Sequence, residues 1–206
     1  MPAHLMNYGN HSVAFFKSGF LIMLSIILGG CAEALYSRTP IGSFEGKLTV
    51  EWIAPNQFIY RPDPTRPLVY TAADGLKIEP RFMYTDGGSI PRLFWSAPGL
   101  GPWDFGPGYI IHDWLFEQHH CRTGDWTAIS FSRSASLLAE ALKTQMIRSG
   151  RPEPELLYAI HGAVSLPVAE RLWNDGSCSA PPEFAAPPAP GAPKPKPITI
   201  LTIEAN

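Results

Sequence analysis

The chain has 206 residues, of which 16 are Lys or Arg and 18 are Asp or Glu, so its net charge is −2. This length accommodates one domain of ordinary size with flanking segments, and a hydrophobic content of 45 % is enough for a packed core. No basic stripe or long run of charge is present, which argues against a nucleic-acid-binding protein. The 22 prolines and 18 glycines predict many turns, short strands and extended connections.

The N-terminal segment has the features of an export signal. Lys17 precedes an uncharged apolar run at residues 20–30, FLIMLSIILGG, which is shorter than the roughly 20 apolar residues that span a bilayer. The run ends in Leu28-Gly29-Gly30-Cys31, which resembles a bacterial lipobox. The resemblance implies a mature chain that begins at Cys31 and is held by a lipid on that thiol at a membrane of the bacterial cell envelope, facing the periplasm or the exterior. The alternatives are a signal anchor or a chance apolar segment with Cys31 buried, and translation starts at Met1 or Met6.

The two remaining cysteines, Cys121 and Cys178, form an even pair in a compartment that permits disulfides. A bridge between them would close a long loop and stabilise the fold by about 4 kcal/mol in the chain-entropy model. The alternative is two free thiols, and the sequence leaves both open.

The organisation predicted from composition is a signal peptide at 1–30, a tether at 31–44, one α+β domain at 45–178 and a Pro/Ala-rich tail at 179–206. Pro40, Gly42 and Ser43 break any regular pattern in the tether. The tail cannot bury enough apolar surface to order itself, so we expect it to be disordered. Within the tail, residues 198–203 have the composition of a strand, but the sequence shows no clear partner for it.

The first half of the domain, from about residue 45 to 95, is predicted to form a small antiparallel sheet. Leu48, Val50 and Trp52 alternate with polar residues, which is the pattern of an amphipathic strand. Turn-forming residues separate the further β-like runs, which are 57–60, 68–71, 76–79 and 81–85.

Three helices are expected to follow and to pack on this sheet. They are predicted from Gly108 or Tyr109 to about His120, from Ser132 to Ser149 with Ser132 or Ser134 as the N-terminal cap, and from Glu155 to Trp173. Pro167 lies inside the third span, where it predicts a kink or a break.

A polar turn is predicted at residues 85–92, which read Thr-Asp-Gly-Gly-Ser-Ile-Pro-Arg. The two glycines permit positive φ and let backbone amides or a ligand approach closely. Asp86 and Ser89 supply a carboxylate and a hydroxyl, and Pro91 restricts the exit of the turn to extended geometry. Taken alone, the pattern also fits an ordinary turn in which Asp86 caps its own backbone.

A second polar element lies in the first predicted helix, where His112 and Asp113 stand between Ile110-Ile111 and Trp114-Leu115-Phe116. The apolar neighbours predict a largely buried pair. Burial lowers the pKa of a histidine and a nearby carboxylate raises it, which suits a proton shuttle or a metal ligand. The alternative is a core histidine whose hydrogen bonds are satisfied, beside an aspartate that binds structural backbone amides.

Other metal patterns are weaker. Glu117-x-x-His120 resembles half of a carboxylate–histidine metal site, but no second half is present, which favours a solvated helix face. His112 and His119 lie two helical turns apart, too far for one ion. The common zinc, P-loop and α/β-hydrolase motifs are not found in the sequence.

Together, the two polar elements resemble the bacterial and phage domain-of-unknown-function family 1353. The resemblance rests on Pro80, the segment 86–92, Trp95 and the segment 111–116, and it covers residues from about 45 to 173. The usual pattern of the family is a strand ending in Thr-Asp-Gly-Ala-Ser-Ile-Pro, then a Trp, then His-Asp-Tyr-Leu-Tyr. The resemblance implies that the turn at Asp86 meets the helix of His112, but the family has no established activity.

The chain departs from the family pattern in three places. Gly88 stands where the family has alanine, and Phe82-Met83 where it has Gly-Phe, which predicts a looser turn. Ser136 stands where the family tends to have an aspartate at the opening of a helix, so a third acidic partner is missing.

Two functions remain open. In the first, the protein is a lipid-anchored envelope protein of phage-related origin with a binding or assembly role, and Asp86, Ser89, Arg92, His112 and Asp113 form a buried structural network. In the second, it is a membrane-anchored hydrolase in which His112 is the general base or a metal ligand, oriented by Asp113 or Asp86. Ser89 and the glycine amides would then bind an oxyanion or phosphate. The sequence does not identify a substrate, cofactor, metal or protein partner, and it predicts contact with a membrane only through Cys31.

Overall fold

The computed structural model describes residues 29–54, 57–87, 98–101, 103–179 and 198–205. This part of the chain is an α+β fold of two antiparallel sheets and five helices, which confirms the predicted fold class. The strands are β1 (Ser43–Glu45), β2 (Lys47–Ala54), β3 (Gln57–Tyr60), β4 (Val69–Thr71), β5 (Lys77–Ile78), β6 (Met83–Thr85) and β7 (Ile198–Glu204). The helices are α1 (29–38), α2 (Gly106–Cys121), α3 (Phe131–Arg148), α4 (Pro154–Val164) and α5 (Pro167–Asp175).

The strands divide into two sheets rather than the single sheet predicted. One sheet has the order β1-β4-β5 and the other β6-β3-β2-β7. The chain passes from one sheet to the other at Gly46, between β1 and β2, where φ is +89°. A side chain at this position would collide with the backbone of Pro67, so only glycine fits.

The segment expected to be an irregular tether is regular in the structure. Residues 29–38 form α1, and β1 follows at Ser43. The segment is fastened to the domain by Lys143, whose Nζ donates hydrogen bonds of 2.6 Å to the carbonyl oxygens of Tyr36 and Thr39. Composition alone does not reveal this contact, because its donor lies about 100 residues further along the chain.

The end of the predicted tail also forms part of the domain. β7 pairs antiparallel with β2, and Leu48 lies opposite Ile203 while Trp52 lies opposite Ile198. The strand pattern at 198–203 therefore has a partner, which sequence inspection could not supply. The predicted signal peptide up to residue 28 and the tail residues 180–197 lie outside the described residues.

The helices follow the predicted spans except at the cap of α3, and the break predicted at Pro167 is present. The N-terminal cap of α3 is Ser130, whose Oγ accepts a hydrogen bond from the backbone N–H of Arg133, so neither Ser132 nor Ser134 is the cap. The third predicted helix is two helices, because the chain leaves helical geometry at Leu166 (φ −70°, ψ 153°), immediately before Pro167.

The core lies between the sheets and α2 and α3. Leu48 and Val50 of β2 are fully buried, as their alternation predicts, and they pack in one cluster with Ile110 and Ile111 of α2. A second cluster joins α2 and α3 to α4 through Tyr109, Leu138, Leu142, Leu157 and Ile160. These contacts hold α2 firmly against the end of β6, where both sequence motifs come together.

Candidate functional site

The end of β6 meets α2 through the side chain of Thr85. Its Oγ1 donates a hydrogen bond of 2.7 Å to Oδ2 of Asp113, and it accepts one of 3.1 Å from the backbone N–H of Gly87. The turn after β6 therefore contacts the helix of His112, which confirms the predicted meeting of the two motifs. Gly87 has φ +77°, so the turn depends on the glycine conformation that the sequence predicted there.

The carboxyl group of Asp113 is held largely in its protonated form. Burial, and after it the negative charge of Asp86, raises the pKa of Asp113 to about 8. The hydrogen bond from Thr85 acts in the opposite direction, because it favours the charged carboxylate. At neutral pH this side chain can therefore donate a proton.

His112 lies next to Asp113 in α2 but in apolar surroundings. Its ring packs against Phe116, with the two ring centroids 4.9 Å apart. Burial lowers the pKa of His112 to about 4, so the imidazole is neutral at physiological pH. Its Nε2 atom is buried and has no hydrogen-bond partner among the residues that the structure describes. A neutral imidazole with an unused nitrogen can accept a proton or bind a ligand atom.

The expectation that Asp86 is buried is wrong, because this residue is exposed. The reason is the alternation of side chains along β6: Met83 and Thr85 point inward, so the next residue points outward. Thr85 is the buried polar residue at the end of β6. Ser89 and Arg92, the other expected members of the network, lie outside the described residues.

The C-terminal end of α2 is joined to α5 and to the segment after it by a disulfide and by contacts of His120. Cys121 and Cys178 form a disulfide with their Cα atoms 4.5 Å apart, which is the bridged alternative of the two considered from the sequence. In addition, His120 Nε2 lies 2.9 Å from the carbonyl oxygen of Leu172 and 3.2 Å from that of Trp173. His120 thus contacts the backbone of α5. Cys31, the predicted lipidation residue, is exposed and has a free thiol.

A metal centre is not supported by the described part of the chain. The one group of three ligating side chains close enough to share an ion there is Glu117 with Cys121 and Cys178. Both of these cysteines are in the disulfide, so neither offers a thiolate. His112 and Asp113 belong to no such group among the described residues.

A buried polar cluster on α3 was not predicted. The carboxylate of Glu140 accepts hydrogen bonds from the hydroxyl of Tyr70, at 3.0 Å, and from the backbone N–H of Ala73, at 2.7 Å. Ser136, where the family pattern has an acidic residue, is exposed and donates to the carbonyl of Ser132. A charged residue within the apolar face of a predicted helix, such as Glu140, is the sequence signal that could have revealed the cluster.

No family model matches the chain, and neither do curated proteins or solved structures. The resemblance to the domain-of-unknown-function family 1353 therefore stays a prediction from the two motifs. Within the described residues, no helix has both the length and the apolar character needed to cross a membrane.

Proposed function

We propose that the chain is a lipid-anchored protein of the bacterial cell envelope with a binding or assembly role, in which the polar residues at the sheet–helix junction are structural. The observation that supports a structural role for the junction is the hydrogen bond from Thr85 to Asp113. It uses one carboxyl oxygen to connect β6 with α2, as a residue that stabilises the fold does. The family resemblance adds a bacterial or phage-related setting but no activity.

The raised pKa of Asp113, about 8, is consistent with a structural role for this carboxyl group. The desolvation free energy of a buried carboxyl group is smaller when the group is protonated than when it is charged.

Two features support the envelope setting. The apolar run at 20–30 ends at Cys31, whose thiol is accessible for acylation in the folded domain. The disulfide between Cys121 and Cys178 is of the kind that persists in oxidising compartments such as the periplasm.

The anchor is tested by the mass and the location of the protein expressed in bacteria. We expect the native chain to be found in the membrane fraction with the mass of a protein that begins at Cys31 and carries acyl chains. Cys31→Ser should remove the acyl mass and the membrane association obtained through it. Ser37→Ala, an exposed change on the same helix, is the matched control and should leave both unchanged. An unmodified native mass, or unaltered acylation in the Cys31 variant, would contradict the proposal.

A hydrolase is the second candidate, and one observation favours it. His112 is a neutral base with an unused buried nitrogen, and its neighbour Asp113 is an acid with a raised pKa. Environments that separate the pKa values of adjacent groups are typical of acid–base catalysis. We would test this with ester and phosphodiester substrates of the purified chain. Activity abolished by His112→Gln, in a variant that keeps the native unfolding temperature, would establish the hydrolase and refute a purely structural site.

A further inference from the structure

An open cleft of about 470 Å³ lies away from the Thr85–Asp113 contact, between the end of α2, the start of α3 and α5. Its walls combine aromatic rings with polar groups. The rings are those of His119, Trp126, Phe131 and Trp173, and among the polar groups are Glu170, Asn174 and the hydroxyl of Thr127. Such a mixture is typical of small-molecule sites, in which a few polar groups orient a ligand on an apolar wall.

The cleft is preformed by several contacts between its walls. The ring of His119 stacks on that of Trp173, with their centroids 4.1 Å apart and an angle of 25° between the planes. His119 also contacts the edge of Trp126, at 5.5 Å between the centroids. The disulfide between Cys121 and Cys178 holds the chain after α5 against α2. A ligand would therefore meet an existing surface and would not have to order a loop first.

Charges of opposite sign lie at the cleft, and their sum is close to zero. Glu170 is the one formally charged side chain among the described residues that line it. Burial, and after it the neighbouring His120, lowers the pKa of His119, so its ring is neutral at physiological pH. The guanidinium carbon of Arg122 lies 5.7 Å from the centre of the Trp126 ring. Glu170 would repel an anion, whereas a cation would be attracted by Glu170 and repelled by Arg122, so these two charges oppose each other for a cationic ligand.

Polar groups remain available in this cleft for hydrogen bonds with a neutral ligand. Glu170 and Asn174 are both exposed at the rim. A sugar ring has the matching chemistry, since its C–H face packs on an aromatic ring while its hydroxyls donate to carboxylate and amide oxygens.

We propose that this cleft binds a neutral oligosaccharide, with one sugar ring against the indole of Trp126 and hydroxyls bonded to Glu170 and Asn174. The proposal gives the protein a ligand class that neither its fold nor its junction site indicates. The proposal for the cleft does not depend on the lipid anchor or on the role of Asp113. If the proposed function fails, the cleft proposal is unaffected, and the reverse also holds.

The test is isothermal titration of the full chain in a detergent that has no sugar headgroup. The probes are cellotetraose and the β-1,4-linked tetramer of N-acetylglucosamine. We expect saturable binding of at least one tetramer, and Trp126→Ala should weaken it about tenfold or more. Trp52→Ala is the matched control, because Trp52 is a partly exposed tryptophan on β2 and does not line the cleft.

A parallel thermal unfolding scan shows that the Trp126 variant is folded, and Trp126→Phe provides a second variant that keeps an aromatic ring. This second variant should retain part of the affinity. The proposal is overturned if neither tetramer gives saturable heat, or if Trp126→Ala binds as tightly as the Trp52 control. It is also overturned if choline binds instead and Glu170→Gln abolishes that binding, because the cleft would then be a cation site.

Discussion

Thr85→Val removes the hydroxyl that connects β6 with α2 but keeps nearly the same side-chain shape. The hydroxyl donates to Asp113 and accepts from the N–H of Gly87, and only 7 % of Thr85 is exposed. Each buried polar group left without a partner costs about 1–3 kcal/mol. Two groups lose their partner here, namely the carboxyl oxygen of Asp113 and the N–H of Gly87. We therefore expect the free energy of unfolding to fall by about 3 kcal/mol.

The matched control is Thr85→Ser, which keeps the hydroxyl and removes one methyl group. Its expected cost is about 1 kcal/mol, from the lost apolar burial. Both variants are measured by urea unfolding, followed by tryptophan fluorescence and by circular dichroism. A double-mutant cycle of Thr85→Val with Asp113→Ala isolates the hydrogen bond from the loss of packing, with an expected coupling of about 1–2 kcal/mol.

The same substitution should change the ionisation of Asp113. The hydrogen bond from Thr85 lowers the pKa of that carboxyl, so its removal should raise the pKa further above 8. Carboxyl carbon chemical shifts, followed from pH 6 to 10, measure this change. The reasoning is refuted if Thr85→Val is as stable as Thr85→Ser and leaves the pKa of Asp113 where it is.

Three further outcomes follow from the cited pKa directions and the disulfide. The pKa of Asp113 is about 8 in the folded state and near 3.8 in the unfolded state, so the folded state binds this proton more tightly. The free energy of unfolding should therefore fall as the pH rises from 3.8 to 8, by at most about 1.4 kcal/mol per pH unit. Asp113→Asn should remove that slope between pH 6.5 and 8 in urea titrations. The pKa of His112 is about 4 in the folded state and near 6.5 in the unfolded state, so its contribution to the free energy of unfolding is lost as the pH falls from 6.5 to 4. In the Asp113→Asn background, His112→Gln should therefore make the free energy of unfolding less sensitive to acid. Replacement of both Cys121 and Cys178 by serine should lower the free energy of unfolding by about 4 kcal/mol and make stability indifferent to reductant, whereas an intact response to reductant would contradict the bridge.

The regular elements could be predicted where a local pattern specifies them. The alternation at Leu48 and Val50 identified β2 and its buried face, and both residues are fully buried. The periodicity of α3 located that helix to within a residue or two, and Pro167 marked a break that the structure contains. These features depend on neighbours only a few residues away, so they can be read from the chain alone.

Contacts between distant segments could not be predicted in the same way. Residues 198–203 look like a strand, but their pairing with β2 joins residues about 150 positions apart, and no local pattern specifies that register. Lys143 and Glu140 are another case. A lysine and a glutamate on a helix are usually exposed, and here each is buried because distant backbone groups supply its hydrogen-bond partners.

The sequence by itself predicted an α+β fold, and its resemblance to a family predicted that the turn at Asp86 meets the helix of His112; the structure shows both. The sequence also predicted Cys31 as the lipidation residue and left Cys121 and Cys178 as a possible disulfide pair, because both predictions depend on residue types and short spacings. Only the tertiary structure decided that Thr85 donates to Asp113 and that Asp86 is exposed, since the buried side of β6 depends on what packs against the sheet. It alone brought His119, Trp126 and Trp173 to one cleft, because the disulfide and the packing of α5 on α2 place them together.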